Sequence, residues 1–234
     1  MEPVILYQDR RVLVARKPWG VLSTDEPGGM PELLREKMGE PQGCVRTVHR
    51  LDRVVGGLMV FARSAAASRE LSRQVREHQF RKGYLAVIHG TPPAPEGALH
   101  DLLLRDPATR MTRVVTEPQK GVRSADLTYR TLETREGLSL VEVSLGTGRT
   151  HQIRVQFASR GLPLVGDKRY GRGEEGPIAL WSCFLGFYHP ETGAWLEFSD
   201  PPPDIPPWTV FLDTLALIYG RSMIAPPDIS NRQR

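Results

Sequence analysis

The chain has 234 residues and a net charge of +4. Its 40% hydrophobic and 25% charged content excludes disordered and fibrous classes, and its length suffices for one large domain or two small ones. No apolar run approaches the roughly 18 residues of a membrane span. The segment "MEPVILYQDRRVLVARKPWG" has no cationic lead before an apolar core, and Cys44 and Cys183 make neither a CxxC pair nor metal-ligand spacing. The reading is a cytoplasmic chain with no membrane anchor, zinc site or disulfide framework.

In chain order, "VILYQDRRVLVAR" reads as two short strands around a polar turn. "KPWGVLST" leaves the sheet at Pro18, which cannot donate to a ladder. "MPELLREKMG" reads as a short helix with Pro31 in its first turn and Gly39 at its end. Next comes "CVRTVHRLD", in which an extended strand would set Val48, Arg50 and Asp52 on one face and His49, Leu51 and Arg53 on the other. Gly56 and Gly57 interrupt it before "LMVFAR", a strand buried on both faces.

"SAAASRELSRQVREH" follows as a helix with Ser64 as N-cap, Leu71 and Val75 inward, and Arg69, Arg73 and Arg76 on a solvated face. "KGYLAVIHG" is a second buried strand, and residues 99–136 read as hairpins with Arg105, Arg110, Arg113, Lys120 and Arg123 in their turns. "LSLVEVSLGTGRTHQIRVQFASRG" predicts a strand, a glycine loop and a helix with Thr150 as N-cap, Ile153 and Phe157 inward, and Gly161 at its end. "IALWSCFLGFYHPETGAWLEFS" supplies two final strands around a Pro-Glu-Thr-Gly turn. Residues 220–234 have little apolar periodicity and read as a frayed tail. The whole is one α+β domain over residues 1–219, built on a large, mainly antiparallel mixed sheet flanked by helices and loops.

Lysine occurs only at Lys17, Lys37, Lys82, Lys120 and Lys168 among 31 basic residues, so the positive charge is almost wholly arginine. Planar guanidinium forks suit phosphates and bases; a GC-rich codon bias gives the same composition, and placement has to decide. "HRLDR" resembles a kinase catalytic loop, but its spacing is off by one and the only asparagine is Asn231. The chain has no GxSxG elbow, no Walker lysine, no Rossmann GxGxxG and no second carboxylate marked for glycosidase work. "GTGRT" could seat an anion at a helix start, a weak signal alone. What remains is a lone aspartate among arginines, with no metal or organic cofactor implied.

Several ordered motifs, "HRLDRVVGGLMVFAR", "KGYLAVIHG", "GTGRTHQIRV", "GLPLVGDKRYG" and "LGFYHPETG", together resemble the RluA family of pseudouridine synthases over nearly the whole chain. The resemblance implies the pseudouridine synthase fold and the isomerisation of uridine in ribosomal or transfer RNA by a cofactor-free, metal-free monomer. It makes Asp52 the essential carboxylate, acting as nucleophile or as base on the ribose. Arg154 is then its charge partner, since an opposite charge within a few ångströms favours an ionised acid. Tyr84 would stack on the uracil and handle the proton at C5. Arg50 and Arg149 would contact the RNA, with Arg50 where the flipped nucleotide leaves its stack, and Leu180 would supply an apolar wall. His49, His151 and His189 read as structural hydrogen-bonders.

The chain departs from the family pattern at Val54-Val55, at Gln156 where a histidine is usual, and at Trp181-Ser182 in place of His-Ala. It also starts directly at the catalytic region, which implies target choice without a separate N-terminal RNA-binding module. Two rivals are a non-catalytic RNA-binding protein on the same fold and a small-substrate nucleoside hydrolase. The trio Asp52, Tyr84 and Arg154 argues against the first, because a binder has no need of it.

Overall fold

Residues 56–62 carry no polar side chain to turn toward water, and every one is buried. In the computed structural model, which describes residues 2–220, this segment lies inside an eleven-stranded sheet. The elements in chain order are β1 (Val4–Gln8), β2 (Val12–Lys17), α1 (Met30–Met38), β3 (Arg46–Thr47), β4 (Gly56–Ala62), α2 (Ala65–Arg76), β5 (Arg81–His89) and β6 (Glu96–Arg105). They continue as β7 (Thr112–Val115), β8 (Arg123–Arg135), β9 (Leu138–Leu145), α3 (Gln152–Ala158), β10 (Leu180–Tyr188) and β11 (Trp195–Ser199). A 3₁₀ turn at Trp208–Phe211 leads into α4 (Leu212–Gly220).

The strands run β1-β2-β4-β10-β5-β9-β8-β6-β7, with β11 beside β10 and β3 beside β4. Described pairs are antiparallel except β4 with β10. Alternation along the strands then sorts the core onto two faces. Met59, Phe61, Tyr84, Val143 and Leu180 pack under α1 and α3. Leu58, Val60 and Ala62 pack on the opposite face with Ala67 and Leu71 of α2, while Leu85, Val87 and Trp181 meet Trp208, Phe211 and Leu215.

The expected α+β class, the terminal hairpins and three helices match the observed elements. Ser64 caps α2 by accepting from the Ala67 N–H at 3.1 Å. Four expectations change. Only Arg46–Thr47 of the segment read as a strand joins the sheet. His49 and Leu51 are buried and Arg50 and Arg53 exposed, so the expected three-and-three division fails at Arg53.

Gly56 and Gly57 open β4 instead of interrupting a strand. They permit the parallel approach of β10: a Cβ on Gly56 would lie 2.4 Å from the Trp181 ring, and one on Gly57, at φ +113°, 2.3 Å from the Ser182 carbonyl oxygen. Thr150 is not the N-cap of α3. His151 holds that position in the left-handed region at φ 58°, with no side-chain cap bond; the Gln152 side chain instead ties down the loop ahead of the helix, accepting from the Arg149 N–H at 2.9 Å. From residue 221 on, the expected tail lies outside the described residues.

Gly57→Ala should destabilise the protein by about 2 kcal/mol or more, because it combines a clash with backbone with a conformation L-residues avoid. Urea unfolding checks this, and a midpoint unchanged from wild type would contradict it. A second expectation concerns pH. His49 accepts from the Val60 N–H at 3.2 Å, and burial, aided by Lys82, pushes its pKa down to about 3. The unfolded imidazole titrates near 6.5, so between about 6.5 and 3 the unfolded state binds the extra proton. Stability from His49 is therefore whole above that window and falls as pH drops through it, by up to ~1.4 kcal/mol per pH unit. His49→Gln, which keeps an acceptor and does not titrate, should show a shallower fall between pH 7 and 4.5; parallel falls would exclude His49 as the cause.

Candidate active site

The loop carrying Asp52 is tied down by the segment that leaves the sheet after β2. Lys17 is fully buried, and its ammonium donates to the carbonyls of Pro18 at 2.9 Å, Arg53 at 3.1 Å and Val55 at 2.8 Å, using all three donors. Ser23 Oγ donates to Leu51 O at 2.8 Å and accepts from Leu51 N at 3.1 Å. Gly20 and Arg53 exchange two further bonds. Residues on both sides of Asp52 are thus fixed, and its side chain is left one-quarter exposed. Burial pushes the Lys17 ammonium down to about 7, and Asp52 opposes that shift.

Arg154 comes from α3, whose Ile153 and Phe157 are buried in the core and so turn it into the sheet. Its Nη1 donates to Asp52 Oδ2 at 2.9 Å, and its Nε and Nη2 grip both oxygens of Asp167 at 2.8 and 2.7 Å. Burial works against both charges of this inner pair, yet Asp167 stays below the usual carboxylate range. Arg154 and the N–H groups of Arg169 and Tyr170 outweigh its burial. The guanidinium also lies 5.2 Å from the Tyr170 ring centroid. His151 Nε2 stands 3.8 Å from the same Asp52 oxygen. Among the described residues no side chain bonds to Asp52 Oδ1.

Asp52, Tyr84, Arg154, Arg50, Arg149 and Leu180 all line one cleft of about 1260 Å³, larger than the roughly 300–1,000 Å³ usual for small-molecule sites. Tyr84 comes from β5, opposite Ser182 of β10. It is both a core aromatic and a cleft wall, and burial with the nearby Asp52 charge pushes its phenol pKa well up. Leu180 opens β10 and is buried. Arg50 is exposed, while Arg149 donates from Nε to Ser124 O at 2.8 Å. Arg76, Arg81, Arg105 and Arg110 extend the cleft's basic lining. Arg73 does sit in a solvated charge cluster, paired with Glu70 and Glu77.

The departures from the family pattern split. Val54 is exposed at the turn after Asp52, whereas Val55 is core. Gln156 is buried and donates to Leu99 O, Asp101 Oδ2 and Ala125 O, tying α3 to the sheet. Trp181 packs against Trp19 and donates to Asp200 O at 3.1 Å. Residues missed by the sequence reading are Lys17, Ser23, Asp167 and Tyr170; the "GDKRYG" run that holds the last two was the available signal. His49 and His189 are structural hydrogen-bonders, the latter on Asp9 at 2.9 Å, but His151 faces the site. Among the described residues no three His, Cys, Asp or Glu side chains come together as a metal would need, and no helix is long and apolar enough to cross a membrane.

Comparison with known proteins gives the family and the fold. A family profile described as RNA pseudouridylate synthase matches residues 11–159. A dual-specificity RNA pseudouridine synthase RluA of Yersinia pestis is 35% identical over 204 residues, covering 83% of this chain and 97% of the relative. An RNA pseudouridine synthase of Bacillus subtilis is 34% identical over 87% of this chain and 70% of its own length. Among solved structures, human RNA pseudouridylate synthase domain containing 1 superposes with a TM-score of 0.75 at 23% identity over 97% of each chain, a likeness of fold. The chain belongs to the RluA family of RNA pseudouridine synthases, isomerases that convert uridine in RNA to pseudouridine.

Proposed function

We propose that this enzyme modifies ribosomal or transfer RNA, as a cytoplasmic monomer, with Asp52 as the essential carboxylate. The observation that carries the reading is the asymmetry of that carboxylate. Arg154 holds Oδ2, and among the described residues no side chain bonds to Oδ1, in a cleft lined by arginines. The dual-specificity RNA pseudouridine synthases of Yersinia pestis and Escherichia coli, of which this chain covers 97% and 92%, support RNA as the substrate, and the choice of ribosomal or transfer RNA follows the family resemblance.

In the reaction the bond from C1′ of the ribose to N1 of uracil breaks, the base turns, C5 joins C1′ and loses its proton, and N1 takes up a proton, so that the product is an isomer. Asp52 serves either as nucleophile at C1′ or as base on the ribose; both need an ionised oxygen against the sugar. Tyr84 offers its face to the uracil. With its pKa raised it is a phenol at neutral pH, so a proton from C5 can pass to its oxygen only as the phenol releases its own. Arg50 and Arg149 contact the RNA backbone and help to meet the few kcal/mol that flipping the target nucleotide costs. Leu180 closes the cleft with an apolar wall.

Deleting the gene should remove at least one pseudouridine from total ribosomal and transfer RNA. Wild type should restore it, and Asp52→Asn should not, with turnover reduced at least roughly 10²-fold. No lost site in the deletion strain, or rescue by the Asn variant, would overturn the reading. Arg154→Lys should slow single-turnover conversion by about 10-fold or more while RNA affinity changes little, since a point charge cannot span Asp52 and Asp167 as a planar fork does. Equal losses in rate and affinity would reassign Arg154 to RNA binding.

A further inference from the structure

The His151 ring, whose Nε2 stands 3.8 Å from Asp52, is held on its other side by a defined chain of hydrogen bonds. Tyr170 Oη accepts from the Thr112 backbone N–H at 2.8 Å. A phenol has one proton, and with an amide donor on its oxygen it has that proton to give. His151 Nδ1 stands within reach, also at 2.8 Å, and the arrangement that uses the phenol's proton has Nδ1 accepting. A neutral imidazole that accepts on Nδ1 carries its hydrogen on Nε2, and that nitrogen is the one 3.8 Å from Asp52 Oδ2.

The groups around the ring are consistent with a neutral form. Burial pushes its pKa below the ordinary histidine value; Arg154 and Arg169 add to the fall, and Asp52 and Asp167 oppose it. The ring is also held edge-on to Tyr170, centroids 5.5 Å apart. Its backbone sits in the left-handed region, which histidine rarely takes.

We propose that His151 is a positioning residue for the isomerisation: its Nε2–H, fixed in that tautomer by Tyr170, steadies the Asp52 oxygen already bound by Arg154 and so turns the other oxygen toward the ribose. This rests on Asp52 being the essential carboxylate. The chain also reaches outward. Thr112 opens β7, and Arg169 donates to the Arg110 carbonyl at 3.2 Å. The β6–β7 hairpin, whose Arg105 and Arg110 line the cleft, is thereby seated on the same 167–170 loop that grips Arg154 and His151. Seating of that hairpin and orientation of the carboxylate share one set of bonds.

Two measurements test this. In ¹⁵N spectra of the wild-type protein at neutral pH, the His151 ring, identified by the signal lost in His151→Asn, should show Nε2–H and an unprotonated Nδ1; Nδ1–H would overturn the proposal. The second is a pair of variants assayed by single turnover, RNA affinity and thermal unfolding. His151→Asn tolerates the left-handed backbone and can accept from Tyr170, but is too short to replace Nε2, so the rate should fall about 10- to 100-fold with RNA affinity unchanged. His151→Gln, long enough to present an N–H to Asp52, should recover most of that rate. Full activity of His151→Asn, or equal losses in both variants that track lowered melting temperature, would reduce His151 to a structural role. If instead Asp52→Asn proves active, the assignment of Asp52 fails while the tautomer measurement still stands.

Discussion

A guanidinium buried beneath the sheet has to be neutralised where it lies, and Arg154 is neutralised by two carboxylates of different kinds. Asp167 is fully buried and receives two of its hydrogen bonds; Asp52 is part-exposed and receives one. Removing either partner of such a buried pair typically costs about 3–5 kcal/mol, because the remaining charge has no water to turn to. The inner carboxylate therefore anchors the cation, and the anchored cation orients the outer carboxylate. The Lys17 ammonium is also close enough to feel Asp52.

Around this pair the fold divides its labour. The segment 17–23 fixes the backbone on both sides of Asp52 through Lys17, Gly20 and Ser23, while α3 and the 167–170 loop fix the side chain. The central strands β4, β10 and β5 are neighbours, so the loop entering β4, the first residue of β10 and Tyr84 of β5 converge without long excursions. Further arginines, Arg50, Arg76, Arg81, Arg105 and Arg110 among them, line the same cleft and give it the charge to meet a polyanion.

Much of this could be read in the sequence, for reasons that vary from residue to residue. The apolar runs of β4 and β5 announce themselves because strands buried on both faces are built mostly from apolar residues. The Ser64 cap was legible because capping is local. The bend at residues 48–55 was not, since its cause is an ammonium and a hydroxyl some thirty residues earlier bonding to backbone carbonyls, which leave no trace in residue type. Thr150 looked like an N-cap because a threonine before an apolar-periodic run is the usual local signal, but the helix starts one residue later, behind a His151 in the left-handed region that residue type does not announce. Asp167 sat in a motif already noted, yet nothing local marks an aspartate as the buried partner of an arginine. Asp52, Tyr84 and Arg154 were identified through family resemblance; the lone "HRLDR" would have left a structural ion pair as the better reading.

The parallel contact of Gly56-Gly57 with Trp181-Ser182 joins segments more than a hundred residues apart, and β10 fills the gap between β4 and β5. A sheet closed at its centre by so late a strand has a high contact order, and its assembly is correspondingly slow. Until residues 180–188 have been synthesised and inserted, β4 and β5 have no common neighbour and the cleft has no floor. A nascent chain can already expose its arginines to RNA at that stage, but it has no assembled catalytic centre.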